Sequence, residues 1–336
     1  MSAAGGVGLQ RPLGQGAALA HFLRRARRLE LPHALVVEGA KGGGKSTVVR
    51  WLAAALSCPS ELDTDEPCGM CRVCSRIASG GHPDVHVVDR ARDEDDRKEH
   101  GKSFHVIKVG QVRQAQEALL RHAVEGRARV VCIFDADAME EPAQNALLKT
   151  LEEPGPATFL LLEASRPEQL LPTVRSRVQR LRVLPLAEAM LRRELQQRIP
   201  QRAEWHDAAV RLANGSLGRA LLACTERAVQ LHDLVRAVLA TTNGLRPLAT
   251  AAAVLQGERE LRSAGDAARL FLWLLRAELR ARSSALAESA AGSYPAAAAE
   301  PWTSWLESTL AAERDLDLLI PPEQVLTACL LDLRAT

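Results

Sequence analysis

The residues best equipped for chemistry form one short run, Gly39-Ala-Lys-Gly-Gly-Gly44-Lys45-Ser46. It fits the spacing G-x-x-x-x-G-K-[ST] without a mismatch, and Thr47 follows it. Gly39, Gly42, Gly43 and Gly44 allow backbone N–H groups to converge on phosphate oxygens with no Cβ in the way, and a following helix N-terminus adds positive potential. Lys45 is placed to neutralise β- and γ-phosphates, and Ser46 to ligate Mg²⁺. A chance glycine-rich turn would lack the context found here, an apolar strand before the run and a helical pattern after it. ATP with Mg²⁺ is the implied ligand; the motif does not say what is done with it. A second strand ending in an acid must complete the Mg²⁺ shell, and Val130-Val-Cys-Ile-Phe134 ends in Asp135.

A second constellation is Cys58-x₉-Cys68-x₂-Cys71-x₂-Cys74. In a reducing compartment, close-set cysteines bind metal more often than they pair. Four thiolates suit tetrahedral Zn²⁺, and a closed shell of four points to a structural ion rather than a catalytic one. Pro67 and Gly69 supply turns for the short spacers. The plain alternative makes Cys58 a core helix residue and the others free thiols. His82 and His86 lie nearby, but four cysteines already fill a shell. Cys132, Cys224 and Cys329 sit among apolar neighbours and read as core.

The elements that must position these residues alternate. A helix is expected over about Ala17–Leu29, with Leu19, Phe22, Leu23 and Ala26 inward and Arg24, Arg25, Arg27 and Arg28 on a solvated face. His33–Glu38 reads as a buried strand, followed by a helix ending near Leu56. Val85–Asp89 is a second strand, Arg90–Lys102 a charged loop, and about Val109–Ala123 a helix. Val130–Phe134 is a third strand. Glu141-Pro142 opens a helix that stops at Pro154-Gly155-Pro156, and Thr158–Leu162 is a fourth strand. Strands alternating with helices predict a parallel, doubly wound sheet. After about Val183 the strand signal ends. Residues 185–223 read as a small helical unit and 225–336 as a larger one, broken near Thr242–Gly244, at Ser293-Tyr294-Pro295 and at Pro321-Pro322. The Ala296–Ala299 run is a helix start or a linker.

Bulk composition sets the limits. A length of 336 residues calls for two or three domains. With aromatics at only 3%, the cores must be built from Leu, Val and Ala. A net charge of +2 gives no support to strong nucleic-acid or membrane binding. No apolar run reaches 18 residues and no N-terminal signal pattern is present, so a cytoplasmic protein without membrane contact is expected.

Two further segments carry a resemblance. Asn145-Ala-Leu-Leu-Lys-Thr-Leu-Glu-Glu-Pro154 and Leu170-Leu-Pro-Thr-Val-Arg-Ser-Arg177 resemble signatures of the bacterial clamp-loader family of AAA+ proteins, over residues 31–220 and only weakly beyond. The resemblance implies an AAA+ phosphate-loop domain with an inserted zinc knuckle, then a small helical lid and a helical collar. It implies domains at 1–183 (with the zinc module at 58–74), 184–223 and 224–336. In that family the second signature carries Ser-Arg-Cys, whose Arg reaches a neighbouring subunit's ATP. Here it reads Ser176-Arg177-Val178, so Arg177 is the candidate arginine finger in trans; by itself it would pass for one of several surface arginines with Arg175, Arg180 and Arg182. Ala213-Asn-Gly-Ser-Leu-Gly-Arg219-Ala-Leu221 resembles the lid segment whose Arg contacts bound phosphate, which implicates Arg219. The tail, Asp315–Leu333, resembles the collar.

In the AAA+ family a Glu follows the second-motif Asp and polarises the attacking water. Here Ala136 follows Asp135, and Asp137 comes one place later. On an extended strand that shift points the carboxylate to the opposite face, so Asp137 is expected to be a loop or cap residue. General-base catalysis contributes about 10²–10⁴-fold, so slow intrinsic hydrolysis is expected. Asp135-Ala136-Asp137 and Gly81-His82-Pro83-Asp84 both resemble the delta-prime branch, while its intact phosphate loop favours nucleotide binding. The resemblance implies, as partners, gamma/tau and delta subunits in a hetero-oligomeric ring, with a sliding clamp and primer–template DNA engaged through the complex. Two alternatives are a gamma/tau-like motor ATPase, against which the absent Glu argues, and a zinc-ribbon nucleic-acid binder, against which the balanced charge and scarce aromatics argue.

Overall fold

A computed structural model of the chain describes residues 8–60, 64–90, 106–120, 123–240, 246–256, 264–289, 296–318 and 320–335. Beyond Arg90, the expected charged loop lies outside these residues, as do the expected breaks at 242–244 and 293–295. The chain divides into two compact units, Met1–Ala187 and Glu188–Thr336.

The first unit is built on a parallel five-stranded sheet: β1 Ala34–Glu38, β2 Val85–Val88, β3 Arg129–Ile133, β4 Thr158–Ala164 and β5 Gln179–Arg182, in the spatial order β2-β3-β4-β1-β5. Its helices are α1 Gly16–Arg27, α2 Lys45–Ser57, α3 Arg72–Ser79, α4 Val109–Leu119, α5 Glu141–Glu152 and the single turn α6 Pro172–Arg175. Side chains on a strand alternate between faces, and the central strands sort accordingly. Leu35, Val37, Val130, Cys132 and Leu161 join one core with α1, α2 and α3. Val36, Val131, Ile133, Leu160 and Leu162 join a second core with α4 and α5. A sheet covered on both faces explains why its strands read as unbroken apolar runs. This is the doubly wound α/β architecture expected from the sequence.

Three local expectations need correction. A fifth strand exists: β5 pairs with β1 at the sheet edge, and three of its four residues are exposed, so it carries no apolar signature. Helix α4 ends at Leu119 rather than near Ala123. Further on, the buried Asp84 carboxylate accepts the N–H groups of Val124, Glu125 and Gly126 at 2.6–2.8 Å. And Arg27 is not on a solvated face. It donates to the carbonyls of Cys58 (2.6 Å) and Ser60.

The described residues of the second unit are helical: α7 Glu188–Arg198, α8 His206–Ala213, α9 Leu217–Ala223, α10 Glu226–Ala240, α11 Pro247–Leu255, α12 Ala264–Ser289, α13 Ala296–Asp317 and α14 Pro322–Ala335, with a 3₁₀ stretch at Pro200–Trp205. Between α8 and α9, Asn214 adopts a left-handed conformation and the Ser216 hydroxyl caps α9 by accepting from Arg219 N. Val235, Val254, Phe271, Leu275, Leu326 and Leu330 form its core. Among the described residues no helix is long and apolar enough to cross a membrane.

Candidate nucleotide and metal sites

The phosphate loop joins β1 to α2. Gly39 has φ +150°, and a Cβ there would lie 2.7 Å from Val183 O, so only glycine lets the loop leave β1 beside β5. Gly44, at φ +92°, is the N-cap of α2. The backbone thus wraps back over the start of a 13-residue helix, the arrangement that directs free N–H groups at an anion. Ser46 and Thr47 occupy the first turn of α2 after Lys45.

Lys45 is nearly enclosed. Its Nζ donates to Ala40 O (3.1 Å) and Ser165 Oγ (2.9 Å) and lies 3.6 Å from Glu163 Oε1, with side-chain exposures of 2% and 9% for the pair. Burial pushes the Glu163 carboxyl above its usual range and Asp135 adds to the rise; Lys45 and the neighbouring Ser46 hydroxyl pull against it. Sequence reading stopped β4 at Leu162 and overlooked Glu163. The signal was an acid inside an otherwise apolar strand, since β4 continues to Ala164 and is buried throughout.

Asp135 ends the segment after β3 in a left-handed conformation, φ +51°, an uncommon state for a residue with a Cβ. Its Oδ2 accepts from Arg90 Nη2 (2.6 Å) and Nε (3.0 Å). In the sequence Arg90 only begins a charged run, and the fold alone brings it to Asp135. Asp137 differs from expectation in cause. The strand has already ended, and Ala136–Ala138 is a 3₁₀ turn, so the argument from strand alternation does not apply. The turn carries Asp137 to the end of β4, where Oδ2 accepts the N–H groups of Ser165 (3.2 Å) and Arg166 (2.8 Å). It is a cap, with a side chain 7% exposed.

Arg177 lies just beyond α6, exposed. Its guanidinium donates to Thr173 O (3.0 Å) and Ser176 Oγ (3.3 Å) and pairs with Glu152 at the end of α5 (2.7 Å). In the second unit, Arg219 stacks over the Trp273 ring at 5.7 Å, with Glu313 near enough to act on its charge.

The structure brings the four predicted cysteines together. Their sulfurs all lie within 4.8 Å of one another. Cys58–Cys68, Cys58–Cys71 and Cys68–Cys74 are 3.7, 3.8 and 3.9 Å apart. A tetrahedron of sulfurs about 2.3 Å from Zn²⁺ has edges of about 3.8 Å, so the donor set fits that ion. Cys58 caps the C-terminal end of α2, and the Cys71 sulfur accepts from Cys74 N at the start of α3. Burial raises the Cys68 thiol, but the N–H groups of Met70 and Cys71, together with the Cys71 and Cys58 side chains, outweigh it and bring the thiol down to about 6. His82 lies outside the cluster, its Nδ1 accepting from Asp84 N.

The family described as "DNA polymerase III, delta subunit" matches residues 14–187. DNA polymerase III subunit delta' of Escherichia coli (strain K12) is 35% identical over 189 residues, 56% of this chain and 53% of that protein. Its counterpart in Bacillus subtilis (strain 168) is 38% identical over 156 residues, 46% and 43% respectively. The chain spans about half the length of the curated relatives it matches. Among solved structures, a DNA polymerase III, gamma subunit-related protein from Thermotoga maritima shares the fold, with TM-score 0.52 and 18% identity over 94% of this chain and 99% of that one.

Proposed function

Because the chain belongs to the family described as DNA polymerase III, delta subunit, we propose that it is a delta-prime-like subunit of a DNA polymerase III clamp loader. In this reading it holds ATP with Mg²⁺ at the Lys45 loop and turns it over slowly. It offers Arg177 to the nucleotide of a neighbouring subunit. Gamma/tau and delta subunits complete the ring, which places a sliding clamp on primer–template DNA. Residues 184–223 serve as the lid and 224–336 as the collar, with Arg219 as the lid residue assigned to bound phosphate. When bound, Zn²⁺ fixes the turn between α2 and α3 and takes no part in chemistry.

One observation carries this reading. The phosphate loop is complete, yet among the described residues no Glu follows Asp135 to serve as the water-activating base. Ala136 follows Asp135, and Asp137 is committed to the N–H groups of Ser165 and Arg166. A missing base is worth about 10²–10⁴-fold in rate. The curated relatives named subunit delta' support the choice of branch.

The test is ATP turnover by this chain alone, by the complex with its motor subunits, and by that complex carrying Arg177→Ala. Slow turnover alone and a loss in the mutant complex are expected. Rapid turnover by the isolated chain would show it to be a motor and overturn the proposal.

A further inference from the structure

We propose that Glu163, rather than Asp135, is the acid through which this phosphate site engages Mg²⁺. The assignment rests on the nucleotide-binding reading above.

Glu163 stands opposite Val37 in the β1–β4 register. It lies two residues after Leu161, whose side chain faces α2, so strand alternation points Glu163 beneath the phosphate loop. It is 7% exposed and lies 3.6 Å from Lys45 Nζ, with Ser46 beside it. Lys45 and Ser46 are the two side chains that the loop motif assigns to phosphate and cation. Asp135 is in a different position. Two guanidinium nitrogens of Arg90 bind one of its oxygens, and arginine carries its charge at any accessible pH. Asp135 thus keeps a partner that phosphate does not call away, whereas a divalent cation is drawn to carboxylates with negative charge to spare.

The partner of Glu163 is the very residue that phosphate recruits. As Lys45 turns to the β- and γ-phosphates, Glu163 loses its counter-charge inside a buried site. Bare nucleotide then faces an unpaired carboxylate, a like-charge contact in a poorly solvated place. A divalent cation beside Ser46 relieves both charges together. Nucleotide affinity in this chain should therefore depend steeply on Mg²⁺, and Glu163 should be the residue that makes it so.

The experiment is equilibrium binding of a fluorescent ATP analogue to the full chain, in Mg²⁺ and in EDTA. For the unmodified chain, Mg²⁺ is expected to tighten binding by about tenfold or more, equivalent to about 1.4 kcal/mol. Glu163→Gln is expected to bind the Mg²⁺-free analogue more tightly and to lose most of the Mg²⁺ gain. Glu163→Asp, which keeps the charge on a shorter arm, should keep part of that gain. Asp135→Asn should lose less of it than Glu163→Gln. A Glu163→Gln chain that keeps the full gain, or an Asp135→Asn chain that loses more, overturns the assignment and leaves the nucleotide reading intact. No binding by the unmodified chain in either buffer sinks both. If Glu163→Gln does not fold by circular dichroism, Glu163→Asp decides: a reduced gain supports the assignment and an unchanged gain refutes it.

Discussion

Arg177 Nη2 lies 2.7 Å from Glu152 Oε1, so the proposed finger is paired within its own chain. Both side chains are on the surface, at 36% and 52% exposure, and such pairs contribute about 0–1 kcal/mol. A neighbouring subunit's triphosphate can therefore draw the guanidinium away at little cost. Arg177→Ala should leave the midpoint of chemical denaturation of the isolated chain nearly unchanged. In the assembled complex it should slow the nucleotide site it faces by about 10³-fold or more, read by single-turnover hydrolysis. A large loss of stability with unchanged turnover would make Arg177 a structural residue.

The cysteine cluster predicts one zinc per chain, measured by elemental analysis after purification without chelator. Cys68→Ser should lose the ion and lower the melting temperature. Since bound thiolates compete with protons, zinc should also leave as the pH falls. Purified chain with no zinc and unchanged melting in EDTA would exclude a metal role.

Gly39→Ala tests the loop. The new Cβ would meet Val183 O at 2.7 Å in a backbone conformation at φ +150°, a strain of about 1–3 kcal/mol. The expected result is a lower denaturation midpoint together with weaker binding of the ATP analogue. A variant as stable as the parent would mean that the loop relaxes away from β5 without harm.

The second unit holds a polar cluster that should respond to acid. Glu278 accepts from Arg282 Nε (3.2 Å) and lies 3.4 Å from His232 Nε2. These partners, His232 foremost, outweigh burial and bring its carboxyl down from 4.5 to about 2. A carboxylate depressed in the folded state stabilises fully above its unfolded pKa. The contribution is lost as pH falls from about 4.5 towards 2. Melting curves of the parent and Glu278→Gln should therefore be separated just above that window and converge across it. Parallel curves would show that the pair contributes nothing through charge.

Much of this was legible because the relevant signals are local. The phosphate loop is a contiguous motif, the four cysteines fall within one short segment, and the central strands are apolar on both faces. β5 escaped because an edge strand with one buried residue has no periodic signature. The two ion pairs that define the site, Lys45–Glu163 and Arg90–Asp135, escaped because they join residues 118 and 45 positions apart. Only the strand order makes them neighbours. Asp137 was judged a cap on the wrong geometry: the sequence could not show that the chain leaves the extended state at Asp135.

Helix α2 runs from Lys45 to Ser57, with Cys58 as its C-terminal cap. Its last turns are sealed in the core, with Leu52, Ala53, Ala54, Ala55 and Leu56 fully buried, and Arg27 grips the Cys58 carbonyl from α1. At 1.5 Å per residue, a helix of this length is about 20 Å long. It is a stiff rod with the nucleotide loop at one tip and the cysteine cluster at the other. The two candidate sites thus share one buried element, and a substitution that shortens or bends α2 changes the support of both.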